Sequence, residues 1–216
     1  MIDQRQTVSE FLGTAILVAT VVGSGIMAQK LSGGNVGLAL LCNAIATGAI
    51  LYVLIELFSP ISGAQFNPAV SLWLTLESKQ PLTQTMILSV AQIAGGITGG
   101  ILANAMFDLS LVQISTTARG GASQWLAEII ATFGLVLTIA GFSKKKSSAI
   151  PTAVALYITA AYFFTSSTSF ANPAVTIARM FSNTFAGISP VSVFPFILAQ
   201  LLGMVLAWRV GRYIFV

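Results

Sequence analysis

The sequence has little charge: Asp, Glu, Lys and Arg make up 7% of its 216 residues. A soluble domain carries about 25%. This chain therefore cannot cover a water-facing surface and belongs in a bilayer. Histidine is absent, which removes the commonest metal ligand and the usual near-neutral proton switch. Cys42 is the only cysteine, so no intrachain disulfide can form. It lies in an apolar run, where a small core residue is expected. No Ser/His/Asp, Cys/His, metal-ligand or phosphate-loop constellation is present, so neither an enzyme nor a cofactor or metal site is expected. The net charge of +4 is too small to read as a nucleic-acid footprint.

What the sequence does have is apolar residues, 56% of the chain. Crossing the hydrocarbon as a helix takes about 20 mostly apolar residues. Six segments qualify: 9–29, 36–58, 82–106, 123–142, 149–166 and 190–213. The first apolar run, 11–28, is nearer a span than a signal-peptide core of roughly 7–15 residues. Placing both termini in the cytoplasm puts Arg5, Lys79, Lys144, Lys145, Lys146, Arg209 and Arg212 inside. Only Lys30, Arg119 and Arg179 then lie outside, in keeping with the positive-inside rule. The lysine run 144–146 reads as a topology anchor. Trp73, Trp125, Trp208 and Tyr213 fall near the expected interfaces as belt residues.

Two short segments remain, 67–77 and 172–182, each helical in pattern but about half the length needed to cross. They open on Asn67-Pro68-Ala69 and Asn172-Pro173-Ala174. Asn suits the N-cap, and Pro suits the first turn, where its missing N–H costs nothing. Irregular backbone before them, 59–66 and 165–171, is tolerated at membrane depth only if buried in protein or lining water. These are candidate re-entrant loops feeding half-helices.

The chain also repeats. Glu10-Phe11-Leu12-Gly13-Thr14 matches Glu128-Ile129-Ile130-Ala131-Thr132, and Ala91-Gln92-Ile93-Ala94-Gly95 matches Ala199-Gln200-Leu201-Leu202-Gly203. The offsets are 118 for the Glu, 105 for the triplet Asn and 108 for the Gln. The repeats occupy about 1–106 and 120–216 of one channel domain. With three spans in each, the second copy enters the membrane from the opposite side, as an inverted 3+3 repeat. The two half-helices then meet N-terminus to N-terminus, with both positive dipole ends and both Asn amides at the midplane. The fold class is all-α transmembrane: six spanning helices plus two half-helices in re-entrant loops.

Paired Asn-Pro-Ala loops, six spans, the inverted repeat, and Glu10 and Glu128 in spans one and four together resemble the aquaporin family, the major intrinsic proteins. The resemblance covers essentially the whole chain. It implies a passive channel for water and small neutral solutes, a homotetramer with one pore per subunit, and a site in the plasma membrane among lipid. It also implies that Asn67 and Asn172 donate hydrogen bonds to a passing molecule, and that Glu10 and Glu128 hold the re-entrant loops. Gln92 and Gln200 are expected to be satisfied core amides. An ion- or proton-coupled transporter and a closed-pore structural protein are the alternatives; the central segments offer amides and hydroxyls rather than carboxylates or His, which favours a channel.

The sequence departs from the water-selective members of the family at the outer constriction. Water-selective members carry Arg directly after the second triplet, where this chain has Val175. Aligning spans two and five places the other filter positions at Thr47, Ala160 and Ser169, where water-selective members have Phe and His at the first two. An Arg-free filter of Thr47, Ala160, Ser169 and Val175 is expected to be wide. It is expected to admit glycerol-like polyols, urea and undissociated metalloid acids such as arsenous acid. Arg179, four residues beyond Val175, reads first as an interface anchor or a partner of helix-end carbonyls, and second as a substitute filter cation. Glu56, near the cytoplasmic end of span two, faces either the vestibule or a subunit contact.

Overall fold

The computed structural model describes residues 3–215. Among them it has eight helices and no strand: α1 Gln4–Leu31, α2 Val36–Ser62, α3 Pro68–Leu76, α4 Leu82–Met106, α5 Ala122–Lys144, α6 Ile150–Phe164, α7 Pro173–Arg179 and α8 Pro190–Ile214. Five of these are long and apolar enough to cross a membrane. The sixth long helix, α6, has 15 residues, about 22 Å at 1.5 Å per residue. Helices α3 and α7 are the two short ones, of 9 and 7 residues.

Local chemistry sets the helix ends. Asp3 caps α1 by accepting from the Arg5 N–H, and Asn35 caps α2 by accepting from the Leu38 N–H. α2 stops at Gly63, whose φ of +83° no side chain favours. Asn67 and Asn172 cap α3 and α7, with Pro68 and Pro173 in the first turn of each.

The two halves pack alike. α1 crosses α4 at Gly95, where an added Cβ would land on the Phe11 carbonyl. α5 crosses α8 at Gly203, where it would land on the Ile129 carbonyl. The backbones approach this closely only because glycine has no side chain, the close-packing device expected where lipid supplies no hydrophobic drive between helices. Gly95 and Gly203 lie 108 apart and Phe11 and Ile129 lie 118 apart, the offsets of the sequence repeat. Gln92 and Gln200 sit one turn before these glycines and are fully buried.

Two sequence expectations are corrected. Trp73 is 2% exposed, because it lies on α3, inside the bundle, rather than at a lipid interface. Trp125 and Tyr213 are exposed. Cys42 is exposed on α2, on the face that also exposes Leu38, Leu41 and Ile45, and is not a core residue.

Between α4 and α5 the chain runs extended. Gln113 N–H donates to the Phe181 carbonyl and Ser115 N–H to the Met180 carbonyl, while Ser189 N–H donates to the Thr117 carbonyl. This ties residues 113–117 to the segment that follows α7.

Candidate functional site

The site is built from the two re-entrant loops. Each loop bends through left-handed backbone at non-glycine residues: Ala64 and Phe66 in the first, Thr168, Ser169 and Ala171 in the second. Such a conformation costs roughly 1–2 kcal/mol per residue, so something must hold it. Buried carboxylates do. Glu10 accepts from the Gln65 N–H at 2.8 Å, the Phe66 N–H at 2.6 Å, the Ser62 hydroxyl at 2.6 Å and the Gln92 amide at 2.7 Å. Glu128 accepts from the Phe170 and Ala171 N–H groups, both at 2.9 Å, and the Gln200 amide at 2.6 Å. The Gln92 amide also reaches the Ser71 hydroxyl, and the Gln200 amide the Thr176 hydroxyl. Both carboxylates are fully buried, and a buried ion persists only with partners of this kind.

The Asn side chains close the loops against each other. Asn67 Oδ1 accepts from the Ala69 N–H, and Asn172 Oδ1 accepts from the Ala174 and Val175 N–H groups. Asn67 Nδ2 donates across to the Ala171 carbonyl, and Asn172 Nδ2 donates back to the Phe66 carbonyl, each at 2.8 Å. The N-termini of α3 and α7 therefore meet. Each amide nitrogen carries two protons. One is spent on the opposite loop, and the other is left for the cavity that both residues line.

That cavity measures about 500 Å³. Glu56, Ser143 and Ser147 line its end on the side of the chain termini. Apolar Leu51, Ile55, Val154 and Ile158 line its length, and Thr47, Tyr162, Ser169, Val175 and Arg179 line the region beyond the Asn pair. Glu56 thus borders the cavity. Ser169 Oγ has no hydrogen-bond partner among the described residues and is sealed from the cavity.

Of the expected filter residues, the structure brings Thr47, Ser169 and Val175 to the cavity wall, all nearly buried. It does not bring Ala160 there. Ala160 is exposed on the outer face of α6, and Tyr162 occupies the wall instead. Two residues turn a helix through about 200°, so a two-residue error in the ungapped alignment reverses the face. The Tyr162 hydroxyl lies 3.0 Å from Thr47 Oγ1. The Thr47 proton is already given to the Asn43 carbonyl, so Tyr162 is the donor. A large side chain therefore stands where the sequence suggested a small one.

Two arginines flank this region. Arg179 is not an interface anchor: it is 2% exposed and lies in the cavity wall. Its guanidinium stacks 3.5 Å from the Phe170 ring centre, and its Nε donates to the Ala186 carbonyl. Arg119 reaches the same ring at 5.0 Å and donates to the carbonyls of Gly187, Ser167 and Phe185. Burial lowers its pKa from the ordinary value, opposed by Glu128 and Tyr162. Tyr162, Phe170 and Arg119 were not singled out from sequence. A cation in the extended 113–121 segment, one of three expected on that side, was the available signal for Arg119. Among the described residues no cluster of His, Cys, Asp and Glu could hold a metal.

The sequence profile of the major intrinsic proteins matches residues 2–166. Aquaglyceroporin AqpS of Rhizobium meliloti (strain 1021) is 51% identical over 210 residues, 97% of this chain and 90% of that protein. A probable aquaporin of Oryza sativa subsp. japonica is 29% identical over 214 residues, 96% of this chain and 86% of its own. Among solved structures, an aquaglyceroporin from Plasmodium falciparum superposes with a TM-score of 0.73, covering 95% of this chain and 94% of its own. At 19% identity that likeness speaks to the fold.

Proposed function

The chain belongs to the major intrinsic protein family, and from that premise we propose which solutes its pore admits. It is an integral membrane channel for water and small solutes. The solutes we assign are uncharged molecules larger than water: glycerol- and urea-like compounds and undissociated metalloid acids such as arsenous acid. They pass between Asn67 and Asn172, which donate to their oxygen atoms, and through a filter formed by Thr47, Ser169, Val175 and Tyr162.

One observation carries this reading: Val175, directly after the second triplet, lines the cavity with an uncharged, branched side chain. A guanidinium there would fill the passage and offer a fork of donors suited to water. The wall that remains combines the paired hydroxyls of Thr47 and Tyr162 with apolar surface from Val175. A polyol matches such a wall, hydroxyls to one side and carbons to the other. Glu10 and Glu128 are spent on the loops, and the carboxylate in the lining, Glu56, stands at the terminal end. That arrangement favours a passive conduit over a coupled transporter or an enzyme.

Membrane lipid and further copies of the chain, in a homotetramer, are the partners. Exposed Leu41, Ile45, Val90 and Leu198 support burial of the outer faces against both. The location we assign is the plasma membrane, with both termini cytoplasmic, as the distribution of Lys and Arg supports.

A solute panel in proteoliposomes tests this function. Wild type should pass water, glycerol, urea and arsenous acid, and Val175→Arg should retain water flux while losing most of the rest. Wild type that passes water and excludes the other three would overturn the wide filter.

A further inference from the structure

Resting on the channel reading above, we propose that Arg179 is the charge filter of this pore. It would be a cation moved one helical turn outward from Val175, separating the control of charge from the control of width.

Four observations place it there. Arg179 is the fourth residue after Val175, so the two share a face of α7. The Ala186 carbonyl accepts from the Arg179 Nε and holds the guanidinium back in the wall. Arg179 lines the same cavity as Thr47, Tyr162, Ser169 and Val175. Its guanidinium carbon lies over the Phe170 ring, 3.5 Å from the centre, and Phe170 is itself held by the Glu128 carboxylate through its backbone N–H. Its position is therefore fixed by the loop that carries Asn172.

The hydrogen bonding separates the two arginines. Arg119 gives Nε and both terminal nitrogens to backbone carbonyls and is spent on structure. Arg179 gives Nε to the Ala186 carbonyl. Its two terminal nitrogens have no acceptor among the described residues, yet they are not sealed within protein. A buried cation with four of its five N–H donors unspent needs an acceptor from the space it faces. That space is the pore, so the terminal nitrogens bind the oxygen of whatever passes.

The effects then divide. Val175 leaves room for a solute larger than water. Arg179 adds a fixed positive charge beside the opposed positive ends of α3 and α7, all in a low-dielectric wall. Hydronium and metal cations are repelled, while neutral solutes bearing an acceptor oxygen are not. A filter lacking Arg after the triplet is therefore still closed to cations.

The test uses full-length protein in liposomes, reading proton and K⁺ leak beside water and glycerol flux. Wild type should leak no more than protein-free vesicles while passing both neutral solutes. Arg179→Leu should raise cation leak about tenfold or more relative to its own neutral flux. Arg179→Lys, which keeps the charge and loses the fork, should remain tight to cations. Val175→Arg combined with Arg179→Leu should restore tightness and narrow the pore. A leaky wild type, or a folded Arg179→Leu that stays tight, would overturn the proposal. So would an Arg179→Lys that leaks, and this arm decides the matter if Arg179→Leu does not fold. Loss of neutral flux in wild type would instead refute the channel reading itself.

Discussion

Replacing Glu128 by Gln changes one atom and should damage both the fold and the pore. Phe170 N–H donates to one carboxylate oxygen, and Ala171 N–H and the Gln200 amide donate to the other. An amide keeps one acceptor oxygen and puts a donor in place of the second. Gln200 can turn its own oxygen toward that donor, but a backbone N–H cannot turn. Whichever way the substituted amide is oriented, one buried N–H faces another donor. A buried group left without a partner costs about 1–3 kcal/mol, and holding left-handed Ala171 without it adds to that. The Ala171 carbonyl is also the acceptor for Asn67, so a fault in the second loop displaces the Asn of the first. Glu10→Gln meets the same conflict at the Gln65 and Phe66 N–H groups and should cost a similar amount. Unfolding in detergent followed by Trp fluorescence, with water permeability per folded molecule, reads both effects. A Glu128→Gln protein with wild-type stability and permeability would refute the loop-holding role of the carboxylate.

Gly203→Ala should destabilise by about 1–3 kcal/mol through overpacking, because its Cβ meets the Ile129 backbone; Gly95→Ala should do the same against Phe11, and thermal unfolding in detergent measures both. Tyr162→Phe removes a single hydrogen bond to Thr47, worth about 0.5–1.5 kcal/mol. It frees a Thr47 acceptor for solute, so stopped-flow glycerol flux should rise modestly with water flux unchanged.

The long helices and the half-helices were legible because their signals are local. Runs of apolar residues mark spans, and Asn followed by Pro suits the cap and first turn of a helix. The loop-holding roles of Glu10 and Glu128 were expected from the family likeness, and the repeat offsets carried them to matching places. Side-chain facing was less legible. Ala160 and Tyr162 sit on a helix of 15 residues bounded by polar loops, so nothing in the pattern fixed its rotation to within two residues. Trp73 reads as an interface residue by position, but the half-helix that carries it turns back into the bundle. Arg179 was the harder case, since an arginine at a helix end has many candidate partners. Only the placement of Phe170, Arg119 and the Ala186 carbonyl settles which way it points.

The central claim is that this pore admits neutral solutes larger than water, and stopped-flow light scattering on proteoliposomes under a glycerol gradient tests it most directly. The account predicts rapid shrinkage as water leaves, followed by reswelling as glycerol enters, and shrinkage alone under sucrose. Shrinkage without reswelling under glycerol, in vesicles that conduct water, would contradict it.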